Sequence, residues 1–255
     1  MNIFYLIIFF ISGTLMGSLL TVIGLRLLKN ENFTTTRSHC DSCGHVLSLG
    51  EMIPILSFLF QKGRCRYCGQ KIDVLSTFIE LFTGALFLVA FYAFGFSYEL
   101  LIALGIVSLL MIVVVSDITY LIIPDEVLIF FSVYFMIIQI LNLGLLGAGK
   151  QLLSGLFLFG IMYLIMILGN KALKKESLGG GDIKMMFVFG LVLDPLLGTL
   201  SIFLGSLIAL PISLILLKKQ KERVIPFGPF LLLAFTFIYF AGITTPMVLE
   251  FLRIA

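Results

Sequence analysis

Two groups of residues in this chain have types and spacings suited to chemistry. The first is Cys40-Asp41-Ser42-Cys43 and Cys65-Arg66-Tyr67-Cys68, two C-x-x-C pairs separated by 21 residues that hold all four cysteines. Each pair is followed by a glycine, Gly44 or Gly69. A glycine there can take positive φ and let backbone N–H groups approach the sulfurs. Two such knuckles can give four thiolates to a tetrahedral zinc, although the gap slightly exceeds the usual ribbon range. A redox pair or plain disulfides are the alternatives. A reducing compartment disfavours disulfides, and no βαβ pattern surrounds either pair. His39 and His45 flank the first knuckle. Four thiols already fill the shell, so both are read as outer or solvent residues. A loop with so little apolar sequence needs a metal to fold.

The second group is acidic. Asp117 ends an uncharged run, and Asp182 follows Gly179-Gly180-Gly181. Ionisable groups beside long apolar runs are expensive and are functional candidates by default. Two carboxylates brought together cannot both ionise cheaply, so one keeps its proton while the other can act as a base on water. Such a pair can hydrolyse a peptide bond. The alternative for Asp182 is a helix cap, and for Asp117 an interfacial ion pair. Asp125 and Glu126 follow Pro124 and read more strongly as caps. Asp194-Pro195 reads as turn chemistry. The glycine run gives no phosphate cradle, having neither a P-loop Lys-Ser pair nor a preceding strand.

The elements that position these groups are membrane helices. Sixty per cent of the residues are apolar, 12% are charged and the mean hydropathy is +1.16. The charged share is about half that of a soluble protein. This composition excludes a soluble enzyme, a disordered chain and a disulfide scaffold, and makes the bilayer the main solvent. The net charge of +3 is too weak to argue for nucleic acid. Stretches free of charged residues run over 1–25, 81–98, 100–116, 127–149, 151–170, 185–193, 195–217 and 224–249. Seven are long enough to cross, since a span needs roughly 20 apolar residues. The sixth is short, and whether it crosses or re-enters stays open. The fold class is therefore all-α, a polytopic membrane protein of about eight helices with a cytoplasmic zinc-binding loop. Fifteen of the 17 basic residues fall on one side of an eight-span arrangement, the exceptions being Lys150 and Arg253. The positive-inside rule makes that side cytoplasmic and both termini extracytoplasmic. The N-terminal run lacks a basic start and a small-residue cleavage site, so it reads as a first span rather than a cleavable signal.

These motifs, in this order, resemble the type IV prepilin peptidases, bifunctional membrane aspartic peptidases distantly akin to the presenilin class. The resemblance runs through Met16-Gly17-Ser18-Leu19-Leu20, the stretch Arg37 to Gly44, Met52-Ile53-Pro54-Ile55-Leu56-Ser57 and Gly63 to Gly69. It continues through Asp117 with Ile123-Pro124-Asp125, Gly179-Gly180-Gly181-Asp182-Ile183-Lys184 and Ile225-Pro226-Phe227-Gly228-Pro229-Phe230. It implies that Asp117 and Asp182 are the catalytic pair, with Asp125, Gly179, Gly181, Lys184 and Gly228 in support and Cys40, Cys43, Cys65 and Cys68 on zinc. It also implies cleavage of a short basic leader after Gly on a prepilin or pseudopilin, at the cytoplasmic face of a bacterial cell membrane. N-methylation of the new terminus with S-adenosylmethionine would follow. The corresponding division is 1–28 for the first span, 29–76 for the four-cysteine loop and 77–255 for the peptidase domain.

No Rossmann-type glycine fingerprint marks a methyl-donor site, and the loop is too short for a separate cofactor domain. Arg26, Arg37, Glu51 and Glu80 are the candidates for it, each equally readable as an ordinary interfacial charge. Two other functions compete. An ion-coupled transporter would use the acids as proton relays, though it would hold them nearer the midplane. An anchor presenting a zinc knuckle would leave the acids and the glycine run without a purpose.

Overall fold

A computed structural model describes residues 2–29, 38–40, 42–174, 178–219 and 226–252. The chain divides into two compact units, residues 1–96 and 97–255. The described residues are helical apart from turns, loops and two isolated β-bridges.

The first unit has two long helices, α1 (Ile3–Arg26) and α3 (Val74–Phe94), joined by the cysteine loop. The loop includes the short helix α2 (Leu56–Phe60). The α1–α3 contact is made by small residues. A Cβ on Gly13 would lie 2.8 Å from Gly84 Cα, and one on Gly17 would lie 2.8 Å from Glu80 Cα. Gly13-x-x-x-Gly17 thus lets two backbones approach as closely as membrane helices do, where apolar bulk alone gives no drive to associate. Asp73 starts α3 by accepting a hydrogen bond from Leu75 N (3.0 Å), and Gly95, at φ 58°, ends it.

The second unit is built on α4 (Tyr98–Tyr120), whose side chains are almost all buried from Leu100 to Asp117. Against it and around it lie α5 (Asp125–Leu173), α6 (Gly180–Gly190), α7 (Pro195–Lys219), α8 (Gly228–Phe240) and α9 (Thr245–Phe251). Ser97 caps α4 through Leu100 N, and Leu121 closes it in the left-handed region. Phe189 of α6 stacks on Phe235 of α8, with centroids 4.1 Å apart.

Helix α5 would be about 74 Å long as a rod, more than twice the hydrocarbon thickness. Gly144, at φ 70° and ψ 178°, breaks it. Both arms meet the end of α6: Gln139 donates to Leu191 O (3.0 Å) and Ser154 donates to Leu193 O (2.8 Å). Ser132 and Val133 of the first arm share a cavity wall with Leu156 and Phe159 of the second. The glycine therefore folds α5 into a hairpin. The sequence placed this break at Lys150, where the charge interrupts the apolar run. The structure puts it six residues earlier, where a residue can adopt positive φ without strain.

Among the described residues, five helices are long and apolar enough to cross a membrane, or six if the bent pair α8 and α9 counts as one span. Each of the eight stretches expected from the sequence contains a helix among the described residues. The lower count arises because α5 contains two of them and α6, with 11 residues, is only about 16 Å long. Outward faces of α1, α5 and α7 leave Ile3, Phe4, Ile129, Phe130, Leu153 and Phe203 exposed, as expected of a lipid-facing surface.

Candidate functional site

In the second unit Asp117 and Asp182 are both buried, with 6% and 8% of their surface exposed. Asp117 sits in the last turn of α4 and Asp182 in the first turn of α6. The two carboxylates are close enough to interact electrostatically. Each accepts a backbone N–H from a glycine: Gly228 donates to Asp117, and Gly179 to Asp182. The Asp182 Oδ1 atom is buried without a partner among the described residues. Such an oxygen is costly unless water or a ligand meets it.

The glycines around the pair are there for room. A Cβ on Gly228 would lie 2.9 Å from Ile123 Cδ1 and 3.2 Å from Asp117 Oδ2. A Cβ on Gly181 would lie 2.8 Å from Ile123 Cβ, and one on Gly179 would lie 3.1 Å from Asp182 Oδ2. Buried Ile123 thus packs against Gly181, beside Asp182, and against Gly228, beside Asp117. It spaces the two acid-bearing segments. Sequence reasoning quoted Ile123 only within the Ile123-Pro124-Asp125 motif and gave it no role of its own; its position just before Pro124 in a loop was the available signal. The supporting pair Asp125 and Lys184 forms an ion pair at 2.6 Å with both side chains about half exposed. It joins the start of α5 to α6 but does not touch the buried acids. Asp194 behaves as a turn residue: its carbonyl accepts from Gly198 N, and its carboxylate from the Thr245 hydroxyl.

The first unit gathers the cysteines. The four Sγ atoms all lie within 4.8 Å of one another, with Cys40–Cys68 at 3.8 Å and Cys43–Cys65 at 4.0 Å. A tetrahedron with Zn–S near 2.3 Å has edges of about 3.8 Å, so the set fits zinc. The two knuckles repeat one geometry. Gly44 N donates to Cys40 O and Cys40 N to His45 O; Gly69 N donates to Cys65 O and Cys65 N to Gln70 O. Both glycines take positive φ, at 71° and 70°, as the C-x-x-C-G pattern requires. The N–H groups of Cys68 and Tyr67 hold the Cys65 thiol down at about 6. On Cys43 the His45 N–H pulls down, but burial and the neighbouring thiols push it up to about 11. Neither histidine joins the sulfur cluster. His45 packs its ring on Tyr67, with centroids 3.6 Å apart, and His39 bridges to Val46.

The expected methyl-donor residues have separate fates. Glu51 locks the loop from within. It accepts from Ser48 N (2.9 Å) and Ser48 Oγ (2.8 Å), and its Oε2 lies 3.4 Å from His45 Nε2. Those Ser48 donors hold its carboxyl below the usual range. Glu80 is buried on α3 and accepts from Ile55 N at 2.8 Å. Arg26 ends α1. Arg37 lies outside the described residues.

Comparison with known proteins places each unit. Residues 11–94 match the bacterial peptidase A24 N-terminal domain, and residues 103–214 match the type IV leader peptidase family. The chain is 35% identical to a prepilin leader peptidase/N-methyltransferase of Bacillus subtilis, over 87% of this chain and 88% of that protein. It is 26% identical to the one from Vibrio cholerae, over 93% and 97%. A relative from Myxococcus xanthus is 35% identical over 77% of this chain but only 59% of that longer protein. No solved structure matches. With one family domain on each unit and a relative aligned along nearly its whole length, this chain belongs to the type IV prepilin leader peptidase/N-methyltransferase family.

Proposed function

We propose that this protein is an aspartic endopeptidase of a bacterial cell membrane. It removes the leader of type IV prepilin-like proteins after a glycine and methylates the newly exposed N-terminal amine. The observation that carries this reading is the buried Asp117–Asp182 pair, glycine-braced on both sides, with one Asp182 oxygen left over for a water or a peptide.

In this reading the pair shares one proton. The ionised carboxylate takes a proton from water as the water oxygen attacks the scissile carbonyl carbon. The other carboxyl gives its proton to the carbonyl oxygen. Collapse of the tetrahedral species breaks the C–N bond, and the leaving amine takes the proton gained from water. The N–H groups of Gly228 and Gly179 orient the carboxylates, while Ile123 keeps their two segments at the working separation. The substrate's apolar helix lies against the spans. The basic leader approaches from the cytoplasmic side, the side carrying 15 of the 17 basic residues.

The methylating half belongs to the four-cysteine loop. Cys40, Cys43, Cys65 and Cys68 would hold zinc as a staple that organises a loop of few apolar residues. S-adenosylmethionine, when bound, would supply the electrophilic methyl group, with its thioether as the leaving group and the amine's proton released to water. No step of cleavage requires the metal.

The test is a membrane assay with a prepilin-like peptide bearing a basic leader, a Gly at the cut and an apolar helix. Mass spectrometry reads leader loss and, with methyl donor supplied, a methyl gain. Wild type cleaves, and Asp182→Asn does not. Intact substrates throughout, beside a working control membrane, would overturn the reading.

A further inference from the structure

The first unit contains a cavity of about 520 Å³. This is the size of a small-molecule site, roughly 300–1,000 Å³. Neither the peptide-bond chemistry of the acid pair nor the zinc staple uses it. We propose that this cavity is the methyl-donor site, taking S-adenosylmethionine; the inference rests on the methyltransferase half of the function proposed above.

The lining fits that ligand's charges. The donor carries two positive groups, its sulfonium and its α-ammonium, and one carboxylate. The wall carries three acids, Glu51, Glu80 and Asp73, with one cation, Lys71, and it offers the Phe58 ring as a flat face for a base. Carboxylates buried on a helix long enough to span a membrane are expensive. Yet Glu80 is buried, and neither ion pair found among the described residues involves it.

The wall is also held in place at a cost. Ile55, which aims its N–H at Glu80, sits at φ 62° and ψ −52°. Positive φ is a genuine outlier for a β-branched residue. Strain of this kind persists where surrounding structure over-determines it, typically at binding sites. From the other side, Gly17 lets α1 close on Glu80, and Ser18 hydrogen-bonds its carboxylate. Glu80, on α3, is thus fixed by two further segments, the loop at Ile55 and α1. Cys40 and Cys65 belong to the same wall, so the zinc knuckles and the cavity share their framework.

The experiment measures binding of radiolabelled S-adenosylmethionine to the zinc-loaded full chain in nanodiscs, beside leader cleavage and zinc content. Glu80→Gln and Phe58→Ala are each expected to weaken binding at least ten-fold, with cleavage within two-fold of wild type. Glu80→Gln should weaken the neutral thioether S-adenosylhomocysteine less than the sulfonium, a contrast that mere misfolding would not give. Wild-type affinity in both variants would overturn the site while leaving methylation intact. A wild type that cleaves but neither binds nor methylates would overturn the methyltransferase reading and the site with it. If a variant loses zinc, ultraviolet cross-linking of labelled donor to wild type decides: label within 38–80 supports the cavity, and label elsewhere overturns it.

Discussion

The four cysteines and the two aspartates are assembled by opposite means. Each cysteine knuckle closes on itself. The hydrogen bonds from Gly44 to Cys40 and from Gly69 to Cys65 span a few residues, and the ligands of each pair come from one turn. The acid pair has one local bond, from Gly179 to Asp182, and the rest of its support comes from afar. Asp117 depends on Gly228, and Gly181, next to Asp182, shares with Gly228 the side chain of Ile123. Three segments distant in sequence must dock before the two carboxylates face each other. A local site can be stapled by a metal; a distributed one must be built from helix packing, and it tolerates no added volume. The same glycine type therefore does different work in the two regions. Gly44 and Gly69 serve positive φ with open space around them, whereas Gly181 and Gly228 serve close approach.

The comparison breaks most sharply under substitution of the acids. Asp117→Asn and Asp182→Asn should each lower leader cleavage by about 10³-fold or more, the upper range for acid–base groups. Bound zinc should be unchanged by metal analysis. Substantial cleavage by either variant removes that residue from the pair. The converse perturbation is Cys40→Ser with Cys65→Ser, or exhaustive chelation. Zinc, and with it methylation, should fall to background, and limited proteolysis should cut within 38–73, while cleavage of the leader persists within several-fold. If the purified protein holds no zinc, the metal assignment is wrong.

A subtler way to sharpen the contrast adds one methyl group to each region. Gly228→Ala should cost about 1–3 kcal/mol of local overpacking and reduce kcat for cleavage on the order of ten-fold or more. Gly50→Ala in the loop meets nothing within 4 Å and should leave cleavage, methylation and zinc unchanged. Equal losses from the two substitutions would mean that volume is not what the acid site guards. Smallest of all should be Lys184→Ala. Its bond to Asp125 is short but exposed, and such pairs contribute roughly 0–1 kcal/mol. Thermal unfolding should move little, and a loss of cleavage beyond about ten-fold would give Lys184 a role at the substrate.

The sequence made the local region legible almost completely. C-x-x-C-G encodes both ligands and the turn that holds them, and the four sulfurs converge as that pattern implies. The helical spans were equally readable from their apolar runs. At the acid site the identities of the buried carboxylates could be anticipated, since an Asp beside a long apolar run stands out. How they are braced could not. Gly228 was named in support through the resemblance alone; its bond to Asp117, and Ile123 as a spacer, are tertiary facts with no period or composition to mark them. The α5 hairpin was misplaced for a related reason. Charge marks where a chain prefers water, but Gly144 marks where the backbone can turn. Glu51 shows the limit from the other side: the sequence marks it as a candidate for ligand binding, but nothing in it marks the Ser48 and His45 contacts that hold its carboxylate in place.

The turn at Gly144 also bears on how the chain enters the membrane. Two apolar arms joined by a break with no acidic residue of its own need not be threaded one at a time. They can partition into the lipid together as a preformed hairpin, each shielding the other's backbone. One residue then governs parity: every segment after it keeps its sidedness only while the hairpin closes. Gly144→Val, strained at φ 70°, should let part of the population insert the two arms as one crossing and invert everything downstream. Reporter fusions after α7 would register this as a mixture of orientations. Both Asp182 and the segment carrying Gly228 lie beyond that turn, whereas Asp117 lies before it. In the inverted fraction the partners would be delivered to opposite faces of the bilayer, so biogenesis fidelity at a single glycine decides how many molecules can ever assemble the pair.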